Sequence, residues 1–175
     1  PEEETANLHP EILEEGRIAY LGIDVFDLSR YEEDAAVALP FYEQVKDYDH
    51  LIIDISQNPG GSMSYFNDLV VAPLARETLT VPTYQLFKDG ENNREFLQIE
   101  KGLAEGSYRP IEELPVLPNL NVEDAAQLNC FFQEDYTVVP TGDGFSGKIW
   151  LLVSENNYSS SEYAAMFSKQ TGFAT

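Results

Sequence analysis

The sequence predicts an α/β fold, with a largely parallel central sheet and helices packed on it. Three observations carry this. HLIIDIS at 50–56 and GKIWLLVS at 147–154 are short, continuous apolar runs of the kind found in strands covered on both faces. Strand-like and helix-like segments alternate along the chain, as they do where helices connect parallel strands. Both apolar runs also break into small polar residues just before helical spacing resumes. In a parallel sheet such strand ends are where ligands collect.

In chain order, residues 1–15 form an acidic N-terminal segment expected to start with a short helix. RIAYLGIDVF at 17–26 mixes β-branched and aromatic residues as a strand does. Residues 29–48 read as a helix with Glu32, Glu33 and Asp34 in its first turns, where the helix dipole favours acids. Pro40 should kink that helix or begin a second one. After the strand at 50–56, QNPGGS breaks the chain and SMSYFNDLVVAPLA at 62–75 resumes helical spacing. LTVPTYQLFKDG at 79–90 contains another strand, over 79–88. The stretch 102–146 holds Pro110, Pro115, Pro118 and Pro140 and little periodicity. It reads as an insertion that shapes access to a site, as long irregular segments in compact domains often do. The strand at 148–154 and a helix at 159–169 close the chain, so 16–175 is expected to be one core domain.

Composition narrows the function. At 175 residues, 43% hydrophobic and 12% aromatic, the chain can bury a sizeable core. A net charge of −21, from 10 basic and 31 acidic side chains, argues against nucleic acid or an anionic membrane surface as partner. No apolar run reaches the roughly 18 residues of a membrane span. Nothing reads as a signal peptide, and the abrupt opening PEEETANLHPEILEEG suggests a mature or cut piece. Cys130 has no second cysteine to pair with and is expected to be a buried apolar residue. With only His9 and His50 beside it, no metal site and no cofactor are expected.

Two corners remain. In IIDISQNPGGSMSYF, Asn58 and Pro59 set a turn, and Gly60 and Gly61 leave the backbone bare at a helix start, where amide groups can approach an anion. The plainer account is an ordinary turn. In WLLVSENNYSSSE, Ser159 stands three residues before Glu162, the spacing of a capping box. The same place would expose the Ser159 hydroxyl beside the backbone N–H of Ser160. One corner offers a hydroxyl and the other free amides for the charge that develops when it attacks a carbonyl, which is the minimum for acyl transfer.

Three segments in this order resemble the C-terminal processing peptidases and the tricorn core peptidase, serine peptidases with a crotonase-like or ClpP-like α/β fold. GRIAYLGIDVF resembles their first core strand. DHLIIDISQNPGG resembles their strand ending in Asp-Leu-Arg-x-Asn-Pro-Gly-Gly. GKIWLLVSENNYSSSEYAAMFSKQTGFA resembles their nucleophile corner and following helix, usually Ser-Ala-Ser-Glu. The resemblance covers most of 16–75 and 145–175. It implies a catalytic Ser159, an oxyanion hole made by the Ser160 N–H and one of Gly60 and Gly61, and a peptide or protein substrate. It implies no cofactor, and it implies work in the cell envelope or outside the cell. Ser56 stands where these peptidases usually have arginine, and Ser160 replaces the commoner alanine.

The base is the gap. The processing peptidases take a lysine from a segment further along than Thr175, and tricorn takes a histidine from an upstream segment. Lys169 lies near three helical turns beyond Ser159, too far to reach its Oγ. His9 is the candidate for a tricorn-type base, while His50 opens a strand at the wrong end. The chain is therefore expected to be part of a longer protein that supplies the base, and to be nearly inactive alone. Its PDZ domain would also lie elsewhere, and oligomers are left open. Two other readings stand: an inactive binding module like the retinoid-binding repeats of the same superfamily, with Ser159 only a cap, and a structural domain of a larger assembly.

Overall fold

The computed structural model describes residues 6–103, 106–117 and 120–175. They fall into two compact units, one of residues 1–81 with 137–175 and one of residues 82–136.

The first unit holds a four-stranded sheet in the order β1-β2-β3-β7: β1 Leu8–Glu14, β2 Ile18–Ile23, β3 His50–Asp54 and β7 Lys148–Leu152. β2, β3 and β7 run parallel, and their register sets Leu21 beside Ile53 and Leu151. The three strands expected to share a sheet therefore do so. β1 is antiparallel to β2, with His9 opposite Gly22. The short helix expected at the start of residues 1–15 falls on residues outside those described, and the described remainder of that segment is a strand. The segment LHPEILE follows an edge strand, and Pro10 within it has no N–H to donate, which an edge position tolerates. Residues 1–5 lie outside the described residues.

Alternate residues of the strands, Ala19, Leu21, Ile23, Leu51, Ile53 and Ile149, are buried. The intervening Tyr20, Ile52, Asp54 and Trp150 are only half-buried. The apolar run at 50–56 thus has one fully buried face and not two, and in the run at 147–154 only Ile149 is fully buried. The core is completed by α1 Tyr31–Val45, α2 Met63–Tyr65, α3 Ala72–Leu74 and α6 Ser160–Thr171. Between α2 and α3 the helix widens to a π turn over Phe66–Val71, with Phe66, Leu69, Val70 and Val71 buried. Each such fully buried side chain contributes roughly 1.5–3 kcal/mol by leaving water.

α1 runs through Pro40, so no second helix begins there. Proline removes one helical N–H bond, and the buried row Ala38, Phe41, Tyr42 and Val45 offsets that loss. α6 ends at Gly172, whose left-handed φ of 74° is the usual helix stop. Thr175 then pairs with β7, its N–H reaching the Ile149 carbonyl at 3.1 Å and its carbonyl accepting from Leu151 at 3.0 Å.

A second sheet has the order β4-β6-β5, made of β4 Leu79–Phe87, β6 Cys130–Val138 and β5 Arg109–Pro110. β4 is therefore not a strand of the central sheet. Pro82 inside it suits the edge position it occupies. The second unit also contains α4 Glu91–Lys101 and α5 Val122–Ala125. Its bounds, 82–136, differ from the stretch 102–146 that the proline pattern marks. Cys130 at the start of β6 is half-buried, a correction to the buried placement expected of it.

Candidate active site

The glycine turn is shaped by Asn58, which is fully buried. Its Oδ1 accepts the Gly60 N–H at 2.8 Å, and its Nδ2 donates to the Ile23 carbonyl at 3.1 Å. Gly60 and Gly61 then take φ of 107° and 129°, a region that side chains rarely enter. The turn locks onto Phe26: Phe26 N–H donates to the Gly60 carbonyl at 2.9 Å, and Ser62 N–H donates to the Phe26 carbonyl at 2.8 Å. Gly61 is the middle residue of this bridge, so its own N–H points away from Phe26.

The serine corner is built by Asn157 and Ser161. Asn157 Nδ2 donates to the carbonyls of Ile55 at 2.5 Å and Asn58 at 3.2 Å, while its Oδ1 accepts Ser154 N–H at 2.7 Å. Ser161 Oγ lies 2.8 Å from the Asn58 carbonyl and accepts Tyr158 N–H at 2.9 Å. Ser154 Oγ donates to the Ser56 carbonyl. These bonds join the end of β7 to the end of β3, and the two corners meet. A Cβ on Gly60 would fall 3.0 Å from the Ser159 Cβ and 3.1 Å from Ser160 N.

Ser159 is exposed and has φ 55°, ψ −122°. Among the described residues it alone combines a side chain with positive φ. Ser159 and Glu162 form the expected capping box, in which Ser159 N–H donates to Glu162 Oε2 at 3.1 Å and the Ser159 side chain faces the Glu162 N–H. The Glu162 N–H also donates to the Ser159 carbonyl at 3.0 Å, so it is shared between that carbonyl and the serine side chain. The Ser160 N–H, at the first position of α6, has no intrahelical partner. Among the described residues neither it nor the Gly61 N–H has an acceptor. Ser160 Oγ is buried and also without a partner.

Nearby, Asp54 accepts from Tyr20 Oη at 2.9 Å and from Ser56 N–H at 2.8 Å. Burial acts to raise its pKa, but the hydrogen bonds from Ser56 and Tyr20 together hold it below the usual value.

The basic side chains weighed from the sequence lie elsewhere. His9 sits on β1, with β2 and β3 between it and β7, and its Nε2 is 2.9 Å from Asp24 Oδ2. His50 opens β3 and accepts Trp150 Nε1–H at Nδ1 across 3.3 Å. Lys169 is exposed in the last turn of α6. Sequence reasoning singled out Ser159, Ser160, Gly60 and Gly61, but it missed Asn157 and Ser161 as the residues that bind the corners together. Their signal was the crowding of short polar side chains in NNYSSSE, which a simple cap does not need.

A model of peptidase family S41 matches residues 17–175. The chain belongs to peptidase family S41. No curated protein sequence matches it. Among solved structures, one similar to this S41 chain is a Parabacteroides merdae protein assigned as a peptidase, with TM-score 0.60 and 13% identity over 97% of this chain and 42% of that one. The photosystem II D1 C-terminal processing protease has TM-score 0.52 and 13% identity over 97% and 33%. Mature CPAF, solved with lactacystin, has TM-score 0.54 and 17% identity over 90% and 36%. These likenesses show a shared α/β fold. The chain spans between a third and a little over two fifths of the solved chains it matches. Family S41 comprises serine peptidases, that is, hydrolases.

Proposed function

We propose that this chain is the core of a serine peptidase of crotonase-like (ClpP-like) fold, cleaving peptide or protein substrates through an acyl-enzyme on Ser159. The observation that carries the reading is the convergence of the two corners. An exposed serine on a strained backbone stands against a bare glycine turn, with two unpartnered amides, of Gly61 and Ser160, beside it. Of the two glycines we assign the oxyanion donor to Gly61, because Asn58 already occupies the Gly60 N–H. In the reaction, Ser159 Oγ bonds to the scissile carbonyl carbon as its proton passes to a base. The carbonyl oxygen gathers negative charge between the two amides. The C–N bond then breaks, the amine leaves with the proton, and water hydrolyses the acyl ester.

His9, His50 and Lys169 all lie away from Ser159, so we propose that the base comes from elsewhere in the full-length protein. We further propose work in the cell envelope or outside the cell. No helix among the described residues is long and apolar enough to cross a membrane. The alternative is an inactive binding module of the same superfamily, in which the corner serves only to start α6. An alkyl fluorophosphonate decides between them. The full-length protein should be labelled on the peptide carrying Ser159, and residues 1–175 alone should be labelled barely or not at all. Full cleavage of peptide by the Ser159→Ala full-length protein would leave the binding module ahead.

A further inference from the structure

We propose that Asn7, Asp34 and Tyr65 are positioning residues for the Gly61 amide. This rests on the peptidase reading above. The three side chains come from the residue just before β1, the first turn of α1 and α2, and they are 2%, 3% and 0% exposed. Tyr65 Oη donates to Asp34 Oδ2 at 2.6 Å. Asn7 Nδ2 donates to the same oxygen at 2.6 Å and lies 3.2 Å from Tyr65 Oη. Burial, followed by the bond to Asp34, pushes the Tyr65 phenol far above its ordinary range, so it remains a donor.

A carboxyl group buried among neutral donors is a costly way to fill space, and an apolar trio would do that with less desolvation. What a hydrogen-bonded trio supplies is direction, and here it points at one strap of backbone. Asn7 grips residues 24 and 25 by three bonds: Oδ1 accepts Val25 N–H at 3.0 Å, Nδ2 donates to the Val25 carbonyl at 3.0 Å, and the Asn7 carbonyl accepts Asp24 N–H at 3.0 Å. The Tyr65 ring stacks on Phe26, the next residue of the strap, with centroids 5.6 Å apart and planes 26° apart. Phe26 in turn is bonded to Gly60 and Ser62 on either side of Gly61. The strap and the glycine have no slack, since a Cβ on Gly61 would fall 2.2 Å from the Phe26 carbonyl oxygen. A shift of the strap is therefore passed directly to the Gly61 N–H. Misplacing a donor by a fraction of an ångström weakens the transition state more than substrate binding.

The test is fluorophosphonate labelling of the full-length protein, resolved into the inactivation rate constant and the probe's binding constant. Tyr65→Phe keeps the ring on Phe26 and removes only the donor. It should fold, by circular dichroism, and lower the inactivation rate on the order of 10-fold. Probe binding should stay within roughly twofold. Asp34→Asn keeps an acceptor for Tyr65 and should retain more of the rate than Asp34→Ala. Wild-type inactivation rates in both Tyr65→Phe and Asp34→Asn would overturn the proposal. So would losses that merely follow the folded fraction, or that fall on probe binding. If the unsubstituted protein is not labelled at Ser159, the peptidase reading has failed and the positioning role falls with it. If it is labelled and the variants react normally, the positioning role alone is wrong.

Discussion

Gly60 packs against Ser159 so closely that a Cβ on the glycine would stand 3.0 Å from the serine Cβ and 2.5 Å from the Tyr158 carbonyl oxygen. The nearest of these contacts is with a backbone oxygen, so no flexible side chain can yield. Gly60→Ala should therefore push the two corners apart and force a left-handed φ on alanine. We expect a loss of roughly 1–3 kcal/mol in urea unfolding, together with a steep fall in fluorophosphonate labelling. Gly16→Ala is the control. It has φ 73° but nothing within 4 Å of its Cβ, so only the backbone strain applies. Equal losses at the two positions would mean that the contact with Ser159 carries no energy.

The pieces of this geometry differ in how far the sequence revealed them. The strands at 50–54 and 148–152 were legible because both are apolar runs bounded by turn residues, and the nucleophile corner because Ser159 and Glu162 stand at capping distance. Gly60 and Gly61 read as a bare turn, but which amide was free depended on Asn58 folding back on Gly60, a tertiary choice that no spacing encodes. β1 was missed because LHPEILE alternates weakly and is held by pairing with β2. β6 was missed because prolines at 110, 115, 118 and 140 made the stretch 102–146 look irregular, while the strand itself lies between them. The base was not legible at all, since no histidine or lysine in the sequence carries a motif that ties it to Ser159.

Ser159 holds the one positive φ found on a described residue other than glycine, a strain of about 1–3 kcal/mol kept in place by its neighbours. Its side chain shares the Glu162 N–H in the capping box, so Ser159→Ala should cost about 1 kcal/mol. Ser159→Gly should be as stable as the serine protein or more so, because glycine relieves the strain. Both variants should be inactive. Unfolding in urea alongside labelling checks this. A Ser159→Gly protein clearly less stable than Ser159→Ala would show that the backbone there is not strained.

The next serine should behave in the opposite way. Ser160 Oγ is buried with no partner, so its hydroxyl is desolvated for no return. Ser160→Ala leaves the backbone N–H in place and removes the orphaned group. We expect unchanged or higher stability, by up to roughly 1–3 kcal/mol, and labelling at close to the unsubstituted rate. A loss of labelling on this change alone would give the Ser160 hydroxyl a role in the site.

Alkaline pH offers a reading of the sheet end below the site. Burial, then the hydrogen bond to Asp54, push the Tyr20 phenol up to about 12. The folded state thus favours the neutral phenol, whereas in the unfolded chain tyrosine titrates near its ordinary value of about 10. Below that value both states hold the proton, and the full stabilisation is present. Between about 10 and about 12 the unfolded chain loses the proton while the folded one keeps it, so stability falls as pH rises. Tyr31, Tyr42, Tyr65 and Tyr136 are shifted in the same direction, chiefly by burial, and contribute to the same decline. Tyr20→Phe removes one member of the set. Its urea midpoint should therefore fall less steeply over this window than that of the unsubstituted protein. The gap between the two proteins, measured at neutral pH as the value of the Tyr20–Asp54 bond, should narrow as pH rises. Parallel curves through the window would show that the Tyr20 phenol titrates alike in both states and that Asp54 does not hold its proton.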